Sequence, residues 1–74
     1  MRIVCHLREI RGRRSLRELA EQAGVNRGDL SVIELGRLLP KDEWIPGLEE
    51  AYGTRVEEWY PPRVLLALGW DKDR

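Results

Sequence analysis

Arginine is the residue type with the clearest chemistry in this 74-residue chain. A guanidinium group binds phosphate and carboxylate oxygens through two parallel hydrogen bonds. The net charge is zero, but residues 1–37 hold eight arginines and five acidic residues, whereas residues 38–74 hold five basic and eight acidic residues. This segregation indicates an anionic partner for the first half of the chain, and a charged, solvated surface would explain it equally well.

Other reactive groups are few. Cys5 and His6 are the only cysteine and the only histidine, so the chain alone can form neither a disulfide nor a four-ligand zinc site. Together they could supply half of a metal site shared with another chain, but an ordinary thiol beside a surface imidazole is the simpler interpretation. The sequence contains no Ser/His/Asp set, carboxylate pair or phosphate-binding loop. We therefore predict no enzymatic activity, no metal, no cofactor and no small-molecule ligand.

The apolar segments are too short for a membrane protein. The longest unbroken apolar run, Val64 to Leu68, cannot span a bilayer. Near the N-terminus, Arg8 and Glu9 interrupt any stretch that could form a signal peptide. We expect a cytoplasmic protein without membrane contact.

The arginines of the first half must be positioned by short helices, because glycine and proline recur about every ten residues. The first predicted helix runs from Ile3 to Arg11 and ends at Gly12. Ser15 and Glu18 form a Ser-x-x-Glu capping box that predicts the start of the second helix.

Gly24 is suited to end that second helix. Asn26 is a good N-cap for a third helix, which Gly36 would close. A fourth helix is predicted between Pro40 and Gly53, and a short fifth one from residue 55 to 60, stopped by the two prolines that follow. No segment alternates between apolar and polar residues, so we predict no strands.

Residues 15–36 predict two short helices that cross at a steep angle. Ala20 is small where the helices would touch, Gly24 supplies the turn, and the apolar anchors are Leu19, Val25, Leu30 and Ile33. Residues 15–37 resemble the Cro/C1-type (phage-repressor, XRE-like) helix-turn-helix family, and the similarity continues through Pro40, Trp44-Ile45-Pro46-x-Leu48 and Ala51-x-Gly53 to Val56-Glu57-Glu58-Trp59. The resemblance implies an all-α, compact five-helix, lambda-repressor-like domain over residues 1–60 that acts as a homodimer on double-stranded DNA.

The resemblance also implies residue roles, with residues 26–35 as a recognition helix in the major groove. Arg27 would read a guanine, Val32 a thymine methyl group and Asp29 a cytosine amino group. The full set of base-reading candidates is Arg27, Gly28, Asp29, Ser31 and Val32. The phosphate-binding candidates are Arg13, Arg14, Ser15, Leu16, Arg17, Asn26 and Arg37. Glu34 would pair with an arginine of the first helix, Arg11 or Arg8, in a structural role.

Residues 61–74 lie beyond the resemblance and form a short apolar extension. Its apolar residues would either fold back onto the core or contact a second subunit, and we favour dimerisation because so small a chain gains stability from it. The dimerisation candidates are Val64, Leu65, Leu66, Leu68 and Trp70.

The leading functional hypothesis is a small, repressor-like transcription regulator of the kind that phages encode. One alternative is a protein-interaction module that uses the same fold to bind RNA polymerase, a toxin or a phage assembly component. Gly28, which offers no side chain to a base, Asp29, the zero net charge and the apolar extension favour this alternative. Another alternative is the DNA-recognition subunit of a packaging or recombination complex.

Overall fold

The computed structural model describes residues 3–69, which form helices and turns and contain no strand. The five α-helices are α1 (Leu7–Arg11), α2 (Leu16–Ala23), α3 (Arg27–Glu34), α4 (Ile45–Tyr52) and α5 (Pro62–Leu68). Two 3₁₀ turns, Asp42–Trp44 and Val56–Glu58, precede and follow α4. The predicted all-α class is confirmed.

None of the helices between residues 3 and 69 combines the length and the apolar character needed to cross a bilayer.

The core lies between α2 and α4, which pack backbone against backbone. A Cβ atom on Gly47 would lie 2.6 Å from the carbonyl oxygen of Ala23, so only glycine allows this spacing. Around this contact the structure buries Leu7, Leu19, Ala20, Val25, Leu30, Ile33, Ile45, Leu48, Ala51, Tyr52, Val56, Trp59 and Tyr60. One apolar cluster thus joins the first four helices to the second 3₁₀ turn.

The first helix is shorter than the sequence predicted. The prediction of helix from Ile3 was wrong, because residues 3–6 are held by tertiary backbone hydrogen bonds. The amide of Ile3 donates to the Gly36 carbonyl at 2.7 Å, and the amide of His6 donates to the Trp59 carbonyl at 2.8 Å. The N-terminal segment therefore ties the end of α3 to the region after α4.

Cys5 of this segment lies close to Tyr60. Burial raises the pKa of the Cys5 thiol, and it also raises the pKa of the Tyr60 hydroxyl, with a smaller contribution from the neighbouring thiol. The Tyr60 hydroxyl is buried, and no atom of residues 3–69 lies in hydrogen-bonding geometry with it. Cys5 is therefore a half-buried thiol packed against the core.

The end of the domain also differs from the prediction. Within residues 55–60 only Val56–Glu58 is helical, as a 3₁₀ turn, and a separate helix, α5, begins at Pro62. Pro61 is extended, as is usual before a proline, and Pro62 occupies the first turn of α5, where a missing N–H breaks no helical hydrogen bond.

Of the dimerisation candidates, Val64, Leu65 and Leu68 are half-buried against the core, and Leu66 is 78% exposed. The fifth candidate, Trp70, lies outside the described residues.

Arg14 fastens α1 to α4. Its guanidinium donates to the carbonyls of Ile10 and Arg11 at the end of α1, at 3.0 and 3.2 Å, and to those of Ala51 and Tyr52 at the end of α4, both at 3.3 Å. Terminal carbonyls have no intrahelical partner, and the negative end of the helix dipole favours a cation there. We therefore assign Arg14 a structural role in place of a phosphate contact.

Candidate nucleic-acid interface

The turn between α2 and α3 is built from local capping contacts. Ser15 Oγ accepts a hydrogen bond from the Glu18 amide at 3.4 Å, and Asn26 Oδ1 accepts one from the Gly28 amide at 2.7 Å. Gly24 ends α2 in the left-handed conformation, with φ of +72°, which residues other than glycine rarely adopt. The Val25 amide then donates to the Ala20 carbonyl at 3.0 Å and places α3 across α2. The predicted caps and the helix-turn-helix arrangement are present.

The inner side of α3 is anchored by a buried polar network. Leu30 and Ile33 are fully buried, and the Glu34 carboxylate accepts a hydrogen bond from the Tyr52 hydroxyl at 2.6 Å. Arg11 Nε donates to the same carboxylate at 2.9 Å, so the expected pair of Glu34 with an arginine of the first helix is present. Burial and the hydrogen bond to Glu34 raise the pKa of Tyr52. These contacts join α1, α3 and α4 and fix the orientation of α3.

The outer side of α3 faces solvent. Arg27 and Gly28 are exposed, Val32 is 37% exposed, and Asp29 and Ser31 are half-buried. The Arg27 side chain makes no hydrogen bond or ion pair with any residue between 3 and 69. The five base-reading candidates are thus all at least partly accessible, and Arg27 extends freely from the first turn of the helix.

Both helices of the motif present the positive ends of their dipoles near this surface. An amide in the first turn of a helix has no carbonyl within that helix to accept its hydrogen bond. Such amides are those of Leu16 and Arg17 in α2 and of Arg27 in α3. The Gly28 amide is already used by the Asn26 side chain. The unused amides can therefore bind an anion such as a phosphate oxygen.

Exposed arginines lie within and on either side of the motif in the chain. Arg13 precedes α2, and Arg37 follows α3; neither side chain has a partner in the described part of the chain. Arg17 is exposed, with Nε 3.5 Å from Glu21 Oε1, a surface contact that contributes little. Arg17 and Arg27 both line a depression between α2 and the start of α3.

Three exposed apolar side chains near the end of α3 were not singled out from the sequence. Val4 is 54% exposed, Leu35 is 40% exposed and Leu38 is 39% exposed. Val4 and Leu35 together line a second depression, separate from the one between α2 and α3. They lie close together because the hydrogen bond from Ile3 to Gly36 brings the N-terminal segment beside the end of α3. A leucine at both 35 and 38, just after a polar helix, was the only sequence signal for this surface.

A comparison with family models gives one match, to the family described as helix-turn-helix domain, over residues 2–59. No curated protein and no solved structure matches the chain. The matched residues include α1 to α4, both 3₁₀ turns and every candidate for base reading and phosphate binding.

Proposed function

Because the chain belongs to the helix-turn-helix domain family, a family of DNA-binding regulators, we propose that it is a repressor-like transcription regulator that inserts α3 into the major groove of double-stranded DNA. The observation that carries this proposal is the outer face of α3. This face is accessible, Arg27 extends from it without a partner among residues 3–69, and unused amides and exposed arginines border it. The opposite face of α3 is fixed to the core.

Arg27 reads a guanine through two hydrogen bonds, and the half-buried Ser31 and Asp29 contact neighbouring base edges. Arg13, Arg17 and Arg37 bind phosphates, together with the first amides of α2 and α3 near Ser15, Leu16 and Asn26. These phosphate contacts set the register of α3 in the groove but carry no sequence information.

The test is duplex binding as a function of salt. The three arginines proposed to bind phosphates would release counterions, so the affinity of one subunit should fall about 40-fold between 50 and 200 mM salt. Arg27→Ala should weaken binding to a selected duplex by about 1–3 kcal/mol and relax the preference for one base pair. Arg55→Ala is the matched control, since Arg55 is an exposed arginine in the turn after α4, outside both the motif and α5.

Binding that is absent at 50 mM salt, or an Arg27→Ala variant that binds as the wild type does, would contradict the proposal. Selection from a random duplex pool gives the target for these measurements and shows whether it has two-fold symmetry.

We further propose that the protein binds DNA as a homodimer through α5. Leu66 is the most exposed large apolar residue of the described chain, and a second copy would cover it. Two recognition helices must lie about 34 Å apart to enter successive major grooves of one DNA face.

Sedimentation equilibrium should give a dimer, and Leu66→Glu should give a monomer with weaker DNA binding. Leu38→Glu, which introduces the same charge near α3, should remain dimeric; a monomeric wild type would contradict this proposal.

A protein-interaction function is the second candidate, and the exposed Val4, Leu35 and Leu38 favour it. Purified RNA polymerase is the first partner to test, by fluorescence anisotropy of the labelled domain. Binding that Leu35→Asp abolishes, together with no duplex binding at 50 mM salt, would select this function over DNA recognition.

A further inference from the structure

Glu21 is an acidic side chain on the surface that is proposed to face DNA. It lines the depression between α2 and the start of α3 together with Arg17 and Arg27, which are proposed to bind a phosphate and to read a guanine. Its Oε1 atom lies 3.5 Å from Arg17 Nε, so the two side chains form an ion pair one turn apart on α2. DNA that contacts this depression would bring its phosphates beside the carboxylate, which carries the same sign of charge.

The stability of α2 does not account for this pair. Arg17 lies in the first turn of α2 and Glu21 in the last, whereas the helix dipole favours acidic residues at the start and basic residues at the end. An arginine followed by a glutamate is also the less favourable order for a pair four residues apart. The two side chains are 75% and 70% exposed, so the pair contributes little to folding. Residues that break a local rule without a structural gain are expected at functional sites.

We propose that Glu21 competes with DNA phosphates for Arg17 and so limits the affinity of the domain for every duplex, a regulation that rests on the proposed DNA-binding function. In the free protein the carboxylate offsets the charge of the guanidinium. In the complex a phosphate replaces the carboxylate, which then lies beside the DNA backbone without its cation. An exposed pair breaks at little cost, so Glu21 reduces the affinity and does not abolish binding.

The consequence concerns the balance between the two kinds of DNA contact. Binding to DNA of any sequence depends almost wholly on phosphates. Because Glu21 weakens a phosphate contact, the contact of Arg27 with a base supplies a larger share of the total affinity.

Glu21→Gln removes the negative charge and keeps the size of the side chain. At 50 mM salt it should tighten duplex binding about twofold or more, the factor that corresponds to about 0.4 kcal/mol for an exposed pair of this kind when 1.4 kcal/mol is tenfold. The gain should be smaller at 200 mM, because salt screens interactions between exposed charges. A selected duplex and one of scrambled sequence should gain equally, because both present the same phosphates.

The experiment is a double-mutant cycle, measured by fluorescence anisotropy with both duplexes at both salt concentrations. Glu21→Gln is made in the wild type and in an Arg17→Gln background. In that background the gain should be close to one, since neither the pair nor the phosphate that Arg17 would hold is present. Glu50→Gln is the matched control, because Glu50 is an exposed glutamate on α4, outside the motif, and its loss should leave the affinity unchanged. Thermal unfolding of each variant checks that the fold is intact.

An unchanged affinity in Glu21→Gln, with salt-dependent binding intact, would overturn this inference and leave the proposed function standing. Equal gains with and without Arg17 would also overturn it, since Glu21 would then act only through the overall charge. A gain confined to the selected duplex would do the same, since Glu21 would then act on a base. An absence of duplex binding at 50 mM salt, in the wild type and in Glu21→Gln alike, would instead contradict the proposed function itself.

Discussion

The network around Glu34 offers the sharpest test of how α3 is held. The Glu34 carboxylate has 4% of its side-chain surface exposed, and it accepts two hydrogen bonds from Arg11 Nε, at 2.9 and 3.2 Å, and one from the Tyr52 hydroxyl, at 2.6 Å. Arg11→Met keeps the apolar stem of the side chain and removes the charge and two of these three bonds. A buried carboxylate would then remain without its cation.

Breaking a buried ion pair costs about 3–5 kcal/mol, and we take the lower end because the Arg11 side chain is 20% exposed. A loss of about 3 kcal/mol is a large part of the total stability of a domain of this size, about 4–11 kcal/mol. It should lower the melting temperature by about 12–24 °C, at roughly 4–8 °C per kcal/mol.

The control is a triple variant, Arg11→Met with Glu34→Leu and Tyr52→Phe, which replaces every polar group of the network by an apolar group of similar size. Replacing a whole buried network in this way is often neutral or stabilising, so the triple variant should unfold within about 1 kcal/mol of the wild type. Urea unfolding at pH 7, followed by far-ultraviolet circular dichroism and by tryptophan fluorescence, measures all three proteins. A single variant as stable as the wild type, or a triple variant less stable than the single one, would refute the reasoning.

Three further predictions concern other contacts. Arg14→Ala should lower the free energy of unfolding by about 1–2 kcal/mol, since four hydrogen bonds to helix ends are lost at a largely exposed site; a change below about 0.5 kcal/mol in urea unfolding, the usual size for a surface substitution, would contradict it. Gly47→Ala should destabilise by about 2 kcal/mol, because the new Cβ meets the Ala23 carbonyl at 2.6 Å. Gly28→Ala should change stability by less than about 1 kcal/mol, because its gain in helix propensity is offset where the new Cβ meets the capping Asn26 Oδ1 at 3.1 Å; equal effects at both glycines would count against the backbone contact. Stability should fall as pH rises above about 9–10, because folding raises the pKa values of Cys5, Tyr52 and Tyr60 above their ordinary values of 9.0, 10.0 and 10.0. In that pH range the folded state binds more protons at these groups than the unfolded state does. Tyr60→Phe should therefore reduce the fall in a series of melting temperatures measured at increasing pH.

The sequence predicted the helix-turn-helix itself because its signals are local. Ser15, Gly24 and Asn26 act on amides and turns within three residues of themselves, and the structure has each in the predicted role. The Glu34–Arg11 pair could be anticipated only from the family resemblance, since 23 residues separate the two side chains.

The features that the sequence did not predict depend on contacts between residues far apart in the chain. Ile3 to His6 have helical periodicity, but bonds to Gly36 and Trp59, far along the chain, hold them outside the helix. The bonds from Arg14 to the end of α4 span 37 and 38 residues of chain, so no local pattern predicts them.

The separation of the two sides of α3 has a consequence for engineering. Leu30, Ile33 and Glu34 hold the helix in place, whereas Arg27, Gly28 and Val32 make no side-chain bond to the described remainder of the domain. Arg27 and Val32 can therefore be exchanged together without repacking, at a cost of about 0.5 kcal/mol or less per position. A graft of other side chains onto these positions would redirect the domain to a new target and keep the scaffold.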